Sequence, residues 1–186
     1  MGGPELSGAS AMGKFASMKE TVIQLSPANQ GVVLRLAGPE DIEALLDVGE
    51  EVFGEGHPSL TLGFDRTKSQ KYLNWLLSRD TTFCLVAEKD GLVIGGLSGI
   101  LLPDFFTSDV AGTEIFFGIK KGYRSIALAH DMVRVFTRLC LEMGATSVRF
   151  TPSTAPKWLR YRRFLGKMGF EERSVTMEYR PASGRN

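Results

Sequence analysis

Residues 82–102, TFCLVAEKDGLVIGGLSGILL, constrain the fold more tightly than any other stretch of the chain. Two apolar runs flank Asp90-Gly91, the residue pair that suits a tight hairpin because both positions tolerate positive φ. Pro103 ends the second run. An antiparallel pair in mid-chain excludes a sheet built only from parallel β-α-β units.

The flanking segments extend that pair into a layered fold. VVLRL (32–36) is short, β-branched and apolar, as a first strand should be. Gly38-Pro39-Glu40-Asp41 opens a helix, with proline near the first turn and acids at its positive end. Ile42, Leu45, Leu46, Val52 and Phe53 follow at helical spacing. GEGHPSLTLG reads as a loop, and Asp65 caps a second helix whose buried face is expected at Tyr72, Leu73, Trp75 and Leu76. PDFFTSDVAG reads as another loop, followed by a strand at 114–120 and a helix at about 125–143. That helix keeps the 3.6 period through Ile126, Ala129, Met132, Val133, Phe136, Leu139, Cys140 and Met143, and Gly144 stops it. A strand at 147–151, a helix at 156–168 stopped by Gly169, and a strand at 174–179 complete the series. The order β-α-α-β-β-β-α-β-α-β predicts a mixed α/β fold.

With 186 residues the chain is most simply one domain with a full core. We read residues 1–30 as a flexible leader, with Met18 a candidate native start, and 31–182 as the domain. A net charge of +1 gives no global field that would favour nucleic acid or a membrane surface. No run of 18 apolar residues occurs, so no membrane span is expected. Cys84 and Cys140 lie inside apolar runs and read as core residues of a reducing, cytoplasmic compartment. Two histidines without a Cys/His cluster argue against a zinc site, and no metal is expected.

Between the strand at 114–120 and the following helix lies a basic turn, Lys120-Lys121-Gly122-Tyr123-Arg124. A helix start offers unpaired N–H groups and the positive end of a dipole, so a basic turn there reads as an anion site. The competing reading is a solvated turn. Against it, Ser125-Ile126-Ala127-Leu128-Ala129 begins the helix with small residues where a bulky ligand needs room.

This order, with AEKDGLVIGGLSG, EIFFGIKKGYR and FLGKMGFEE inside it, resembles the GNAT superfamily of acyl-CoA-dependent N-acetyltransferases over about residues 32–180. The resemblance implies a mostly antiparallel central sheet flanked by helices. The spacing and the loop from Asp104 to Val110 are most similar to members carried by phages and prophages. The family's phosphate turn, Arg/Gln-x-x-Gly-x-Gly/Ala, is matched at Arg124 and Ala129, while Ala127 stands where glycine is usual. A methyl there limits how closely a pyrophosphate can approach. The implied anion is coenzyme A, with acetyl-CoA the cofactor and Arg124, Ser125, Ile126, Ala127, Leu128 and Ala129 its phosphate site.

The resemblance further implies pantetheine lying against a splayed strand at Phe117, Gly118 and Ile119. Gly118 suits a bulge or a close ligand approach, or it simply relieves crowding against Phe116 or Phe117. Glu114, the one acid in its strand, is similar to the family's base. Strand alternation sets it on the face of Phe116 and Gly118, and a working base needs a pKa raised by apolar neighbours. Many relatives have a tyrosine acid four residues before the Gly-Phe pair, where this chain has Leu165. Tyr161, one turn earlier, is the remaining candidate acid and reaches a thiolate only if the helix is shifted. The basic helix KWLRYRRFLGK could meet nucleic acid, but its Trp158, Leu159, Phe164 and Leu165 need burial. His57 and Asp104–Phe106 are candidate lining of an acceptor pocket. The implied activity is acetyl transfer to a small-molecule or protein amine. Its rival is a degenerate scaffold that binds without catalysing. A homodimer is left open.

Overall fold

The central hairpin forms as its turn residues dictate, with φ at +51° in Asp90 and +77° in Gly91, the left-handed pair that follows the strand twist. The computed structural model describes residues 25–55, 63–151 and 158–173. In chain order its elements are β1 (Val32–Leu36), α1 (Ile42–Gly54), α2 (Arg66–Leu77), β2 (Thr82–Lys89) and β3 (Leu92–Pro103). They continue as β4 (Val110–Ile119), α3 (Ile126–Glu142), β5 (Ser147–Arg149) and α4 (Trp158–Lys167). The sheet order is β1-β2-β3-β4-β5, antiparallel except for the β4–β5 pair. The strand expected at 174–179 lies outside the described residues.

Helices cover both faces of the sheet. On one face α3 lays Leu128, Met132, Phe136 and Leu139 on Leu85, Leu97 and Ile119. On the other, Leu45 and Val48 of α1 and Leu76 of α2 meet Cys84, Val86 and Val93. Each such fully buried side chain contributes ~2 kcal/mol before entropy is charged. Gly99 and Gly112 let α3 approach, because a Cβ at Gly99 would lie 2.5 Å from the Phe136 ring and one at Gly112 would lie 2.5 Å from Cys140 Sγ.

Three expectations change. In α2, Tyr72 and Trp75 point outward, 45% and 38% exposed, and only Leu76 is fully buried. Helical period alone does not choose which apolar row meets the sheet. The row used is Leu73, Leu76 and Leu77, while Tyr72 stacks on Trp75 at 5.4 Å under the Arg79 guanidinium. The loop before β4 is shorter than expected, since Val110–Gly112 already belong to the strand. Residues 25–30, assigned to the leader, pack on the core: Leu25 joins the α3 side. The buried Asp131 of α3 accepts the Ser26 N–H and the Asn29 Nδ2, each at 2.7 Å.

Arg35 of β1 ties the sheet to the start of α1. Its guanidinium grips both Asp41 oxygens at 2.7 and 2.8 Å and reaches Glu88 of β2 at 2.7 Å. The Arg35 hydrogen bonds hold the Asp41 carboxyl below its ordinary value of 3.8. A lowered carboxyl stabilises the fold fully above that value and loses its contribution as pH falls further. Asp41→Asn should therefore cost ~1–3 kcal/mol near pH 7, and less below pH 4. Thermal unfolding of both proteins from pH 7 to pH 3 checks this.

Candidate active site

β4 has a neighbour on each side for only part of its length. Its ladder with β5 runs from Ala111–Ser147 to Thr113–Arg149. Beyond Thr113 no strand among the described residues pairs with that edge. Lys120 donates its N–H to the Ile94 carbonyl of β3 at 2.8 Å, while the Ile119 carbonyl turns the other way and accepts from Arg124 Nε at 2.7 Å. Alternation along the strand then aims the N–H groups of Phe117 and Ile119 at the open edge.

The strand carries a bulge just before this edge. Gly99 pairs with Glu114 and Ser98 with Phe116, so Ile115 is an extra residue. Ile115 and Phe116 both pack on the α1–α2 side, whereas Phe117 and Ile119 pack on the α3 side. Glu114 pairs with Gly99 and follows Gly112 by two, and both glycines face α3. Simple alternation thus fails, and Glu114 shares its face with Phe117 rather than with Phe116 and Gly118. Gly118 faces α1, where a Cβ would meet Phe116 at 2.6 Å and Val52 at 2.9 Å. Its missing side chain relieves crowding, and the bulge falls elsewhere.

Glu114 is partly buried. Burial pushes its carboxyl up to about 7, against the weaker pull of the Thr151 N–H at 3.3 Å. Tyr161 of α4 lies over the same face, its ring 6.1 Å from Phe117, 6.5 Å from Phe150 and 6.3 Å from Phe164. Burial raises its hydroxyl well above the usual tyrosine value, and the Glu114 charge raises it further. Leu165 is a core residue at 6% exposure. The chain turns after α4 at Gly169, with φ at +87°, and Phe170 seats edge-on against Phe150 at 5.3 Å. No shift of the helix is needed for Tyr161 to face β4.

The basic turn is more occupied than its sequence suggests. Arg124, besides holding Ile119, donates from Nη1 to Glu55 at 2.6 Å. The Lys121 N–H goes to Glu51 of α1. Ser125 caps α3 by accepting the Leu128 N–H at 3.0 Å, and the Ala129 N–H already donates to the Ser125 carbonyl at 3.1 Å. Leu128 is buried in the core. The expected cradle from Ser125 to Ala129 thus keeps the N–H groups of Ser125, Ile126 and Ala127. Ile126 stands beside them 81% exposed. The Asp104–Phe106 loop leads into β4 at the end opposite this turn, and His57 lies outside the described residues. Arg160 and Arg163 of α4 are exposed, and Arg162 pairs with Glu172 at 2.6 Å.

Over most of its length the backbone matches solved structures of acetyltransferases. A possible acetyltransferase from Clostridium difficile 630 superposes with a TM-score of 0.68 at 11% identity, over 83% of this chain and all of that one. Aminoglycoside N-acetyltransferase AAC(6')-Iy in complex with CoA gives 0.65 at 16% identity, over 85% and 99%. Ribosomal-protein-alanine N-acetyltransferase from Brucella melitensis biovar Abortus 2308 gives 0.63 at 16%, over 81% and 99%. The chain has the GNAT acetyltransferase fold. No protein-family model and no curated protein matches its sequence.

Within that GNAT fold, Glu51 and Glu55 are the site-adjacent residues that sequence reasoning missed. A signal existed: acids in the last turn of a helix oppose its dipole and call for a partner. Among the described residues no helix is long and apolar enough to cross a membrane.

Proposed function

We propose that this chain moves an acetyl group from acetyl-CoA to an amine. One observation carries the reading. A carboxyl pushed up to about 7 shares a sheet face and an electrostatic neighbourhood with the Tyr161 hydroxyl, at the edge where β4 has no partner strand among the described residues. The residues present fit the cofactor. The first-turn N–H groups of α3 suit a pyrophosphate, the open edge from Phe117 to Ile119 suits an extended pantetheine arm, and the aromatic floor excludes water. When bound, acetyl-CoA supplies the acetyl thioester.

Glu114 accepts the amine's proton, directly or through water. Near neutral pH it is split between its two forms, which is where a general base works well. The Phe117 and Ile119 N–H groups are aimed where a carbonyl oxygen gaining charge would be stabilised. Tyr161, kept protonated, gives its proton to the departing thiolate. The proposed phage-borne subtype rests on the spacing of the elements and on the loop from Asp104 to Val110.

The scaffold reading is favoured by Leu165 in the core and by Ala127 in the turn. A thermal shift separates the two. Acetyl-CoA should raise the melting temperature by several degrees, as mass action requires for a ligand far above its Kd, while NAD and ATP should leave it unchanged. No shift with acetyl-CoA supports the scaffold, and a shift with NAD or ATP supports a different nucleotide-binding protein.

A further inference from the structure

We infer that Glu55 is a built-in competitor for the anion at the β4–α3 turn, acting through Arg124. The inference rests on the coenzyme reading above. Glu55 is the C-terminal cap of α1, where the negative end of the helix dipole disfavours a carboxylate. Its Oε2 nevertheless lies 2.6 Å from Arg124 Nη1, the two side chains being 34% (Arg124) and 27% (Glu55) exposed. Glu51, one turn back, accepts the Lys121 N–H. One helix end therefore touches, with two carboxylates, a turn whose other groups favour an anion.

Arg124 does not depend on Glu55 for its orientation, because its Nε is held by the Ile119 carbonyl at 2.7 Å. A guanidinium has five donors. Removing the Glu55 charge leaves the fork in place, frees its Nη1 edge for a phosphate oxygen, and takes a negative charge away at close range. With Glu55 present, a phosphate must displace or tolerate that carboxylate, so the apparent affinity is lowered by the worth of the pair. The role assigned to Glu55 is that of a positioning residue that sets cofactor affinity, not of a phosphate ligand.

Isothermal titration tests this with three probes: coenzyme A, inorganic pyrophosphate, and pantetheine, which lacks phosphates. The proteins are wild type, Glu55→Gln, Glu55→Ala, Arg124→Gln and the Glu55→Gln/Arg124→Gln pair. Glu55→Gln should bind coenzyme A and pyrophosphate about tenfold more tightly, equivalent to ~1.4 kcal/mol. Glu55→Ala, which also removes the residual amide contact, should gain at least as much. Pantetheine binding should not change, and the gain should vanish in the Arg124→Gln background. Unchanged or weaker coenzyme A binding by both Glu55 variants overturns the inference and leaves the coenzyme reading intact. So does a gain that survives Arg124→Gln, because it would be a general charge effect. A gain for pyrophosphate with no protein binding coenzyme A overturns the coenzyme reading and keeps the competitor. Binding of neither anion by any protein overturns both.

Discussion

Glu114→Gln should lower acetyl transfer by roughly 10²–10⁴ near neutral pH, the usual contribution of general acid–base catalysis. Coenzyme A affinity should hold, since the amide is nearly isosteric and the cofactor's proposed contacts are mostly backbone. Wild-type activity should rise with pH through about 7, as Glu114 gives up its proton, and the variant should lack that limb. The deficit should shrink at high pH, where the acceptor amine is already neutral. A thiol-release assay across pH with an amine substrate measures both trends. Wild-type-like rates near neutrality would mean that Glu114 is only a strand acid. The same substitution has an opposite effect on stability. The Glu114 carboxyl titrates at about 7 in the fold against an ordinary 4.5, so stability is full below the ordinary value and is lost as pH rises through 7. The permanently neutral Gln variant should melt like wild type near pH 4 and above it at pH 8.

Phe136→Ala should remove ~3–5 kcal/mol of folding stability, near the top of the range for a single core truncation. The ring is fully buried. It packs 5.1 Å from Phe83 and 5.2 Å from Phe150, and it covers Gly99 so closely that a Cβ there would overlap it. Small neighbours of this kind cannot close the cavity, so relief by collapse should be slight. Urea denaturation should give a much lower midpoint with an unchanged slope. A loss below about 1 kcal/mol would mean that α3 sinks onto the sheet to fill the space.

What was legible in the sequence was local. The Asp90-Gly91 turn, the Asp65 cap accepting the Lys68 N–H, and the stops at Gly144 and Gly169 with positive φ depend on a few adjacent residues. The fold class followed from their order. Alternation alone misplaces Glu114 because a bulge belongs to two strands at once: Ile115 is extra only relative to Ser98 and Gly99. Arg124 was recognisable as a cation beside a helix start. Its partner Glu55 lies far away in sequence and becomes visible only when α1 is laid against the turn. The sequence marks Tyr161 as the tyrosine of the last helix, but its reach depends on aromatic packing with Phe117 of β4 and Phe150 just after β5.

The extra residue at Ile115 also bears on how chains of this shape diverge. With the bulge, the acid stands three positions before Phe117 and still faces α3. Excising Ile115 would restore plain alternation and leave the acid on that face, now two positions before the same phenylalanine. An insertion or deletion at this one point is therefore silent toward the chemistry, although it shifts every residue upstream in an ungapped comparison. A relative with the regular strand would be matched acid against isoleucine and would seem to lack its base. A carboxylate can thus stay fixed in space while its place in the text of the sequence shifts by one.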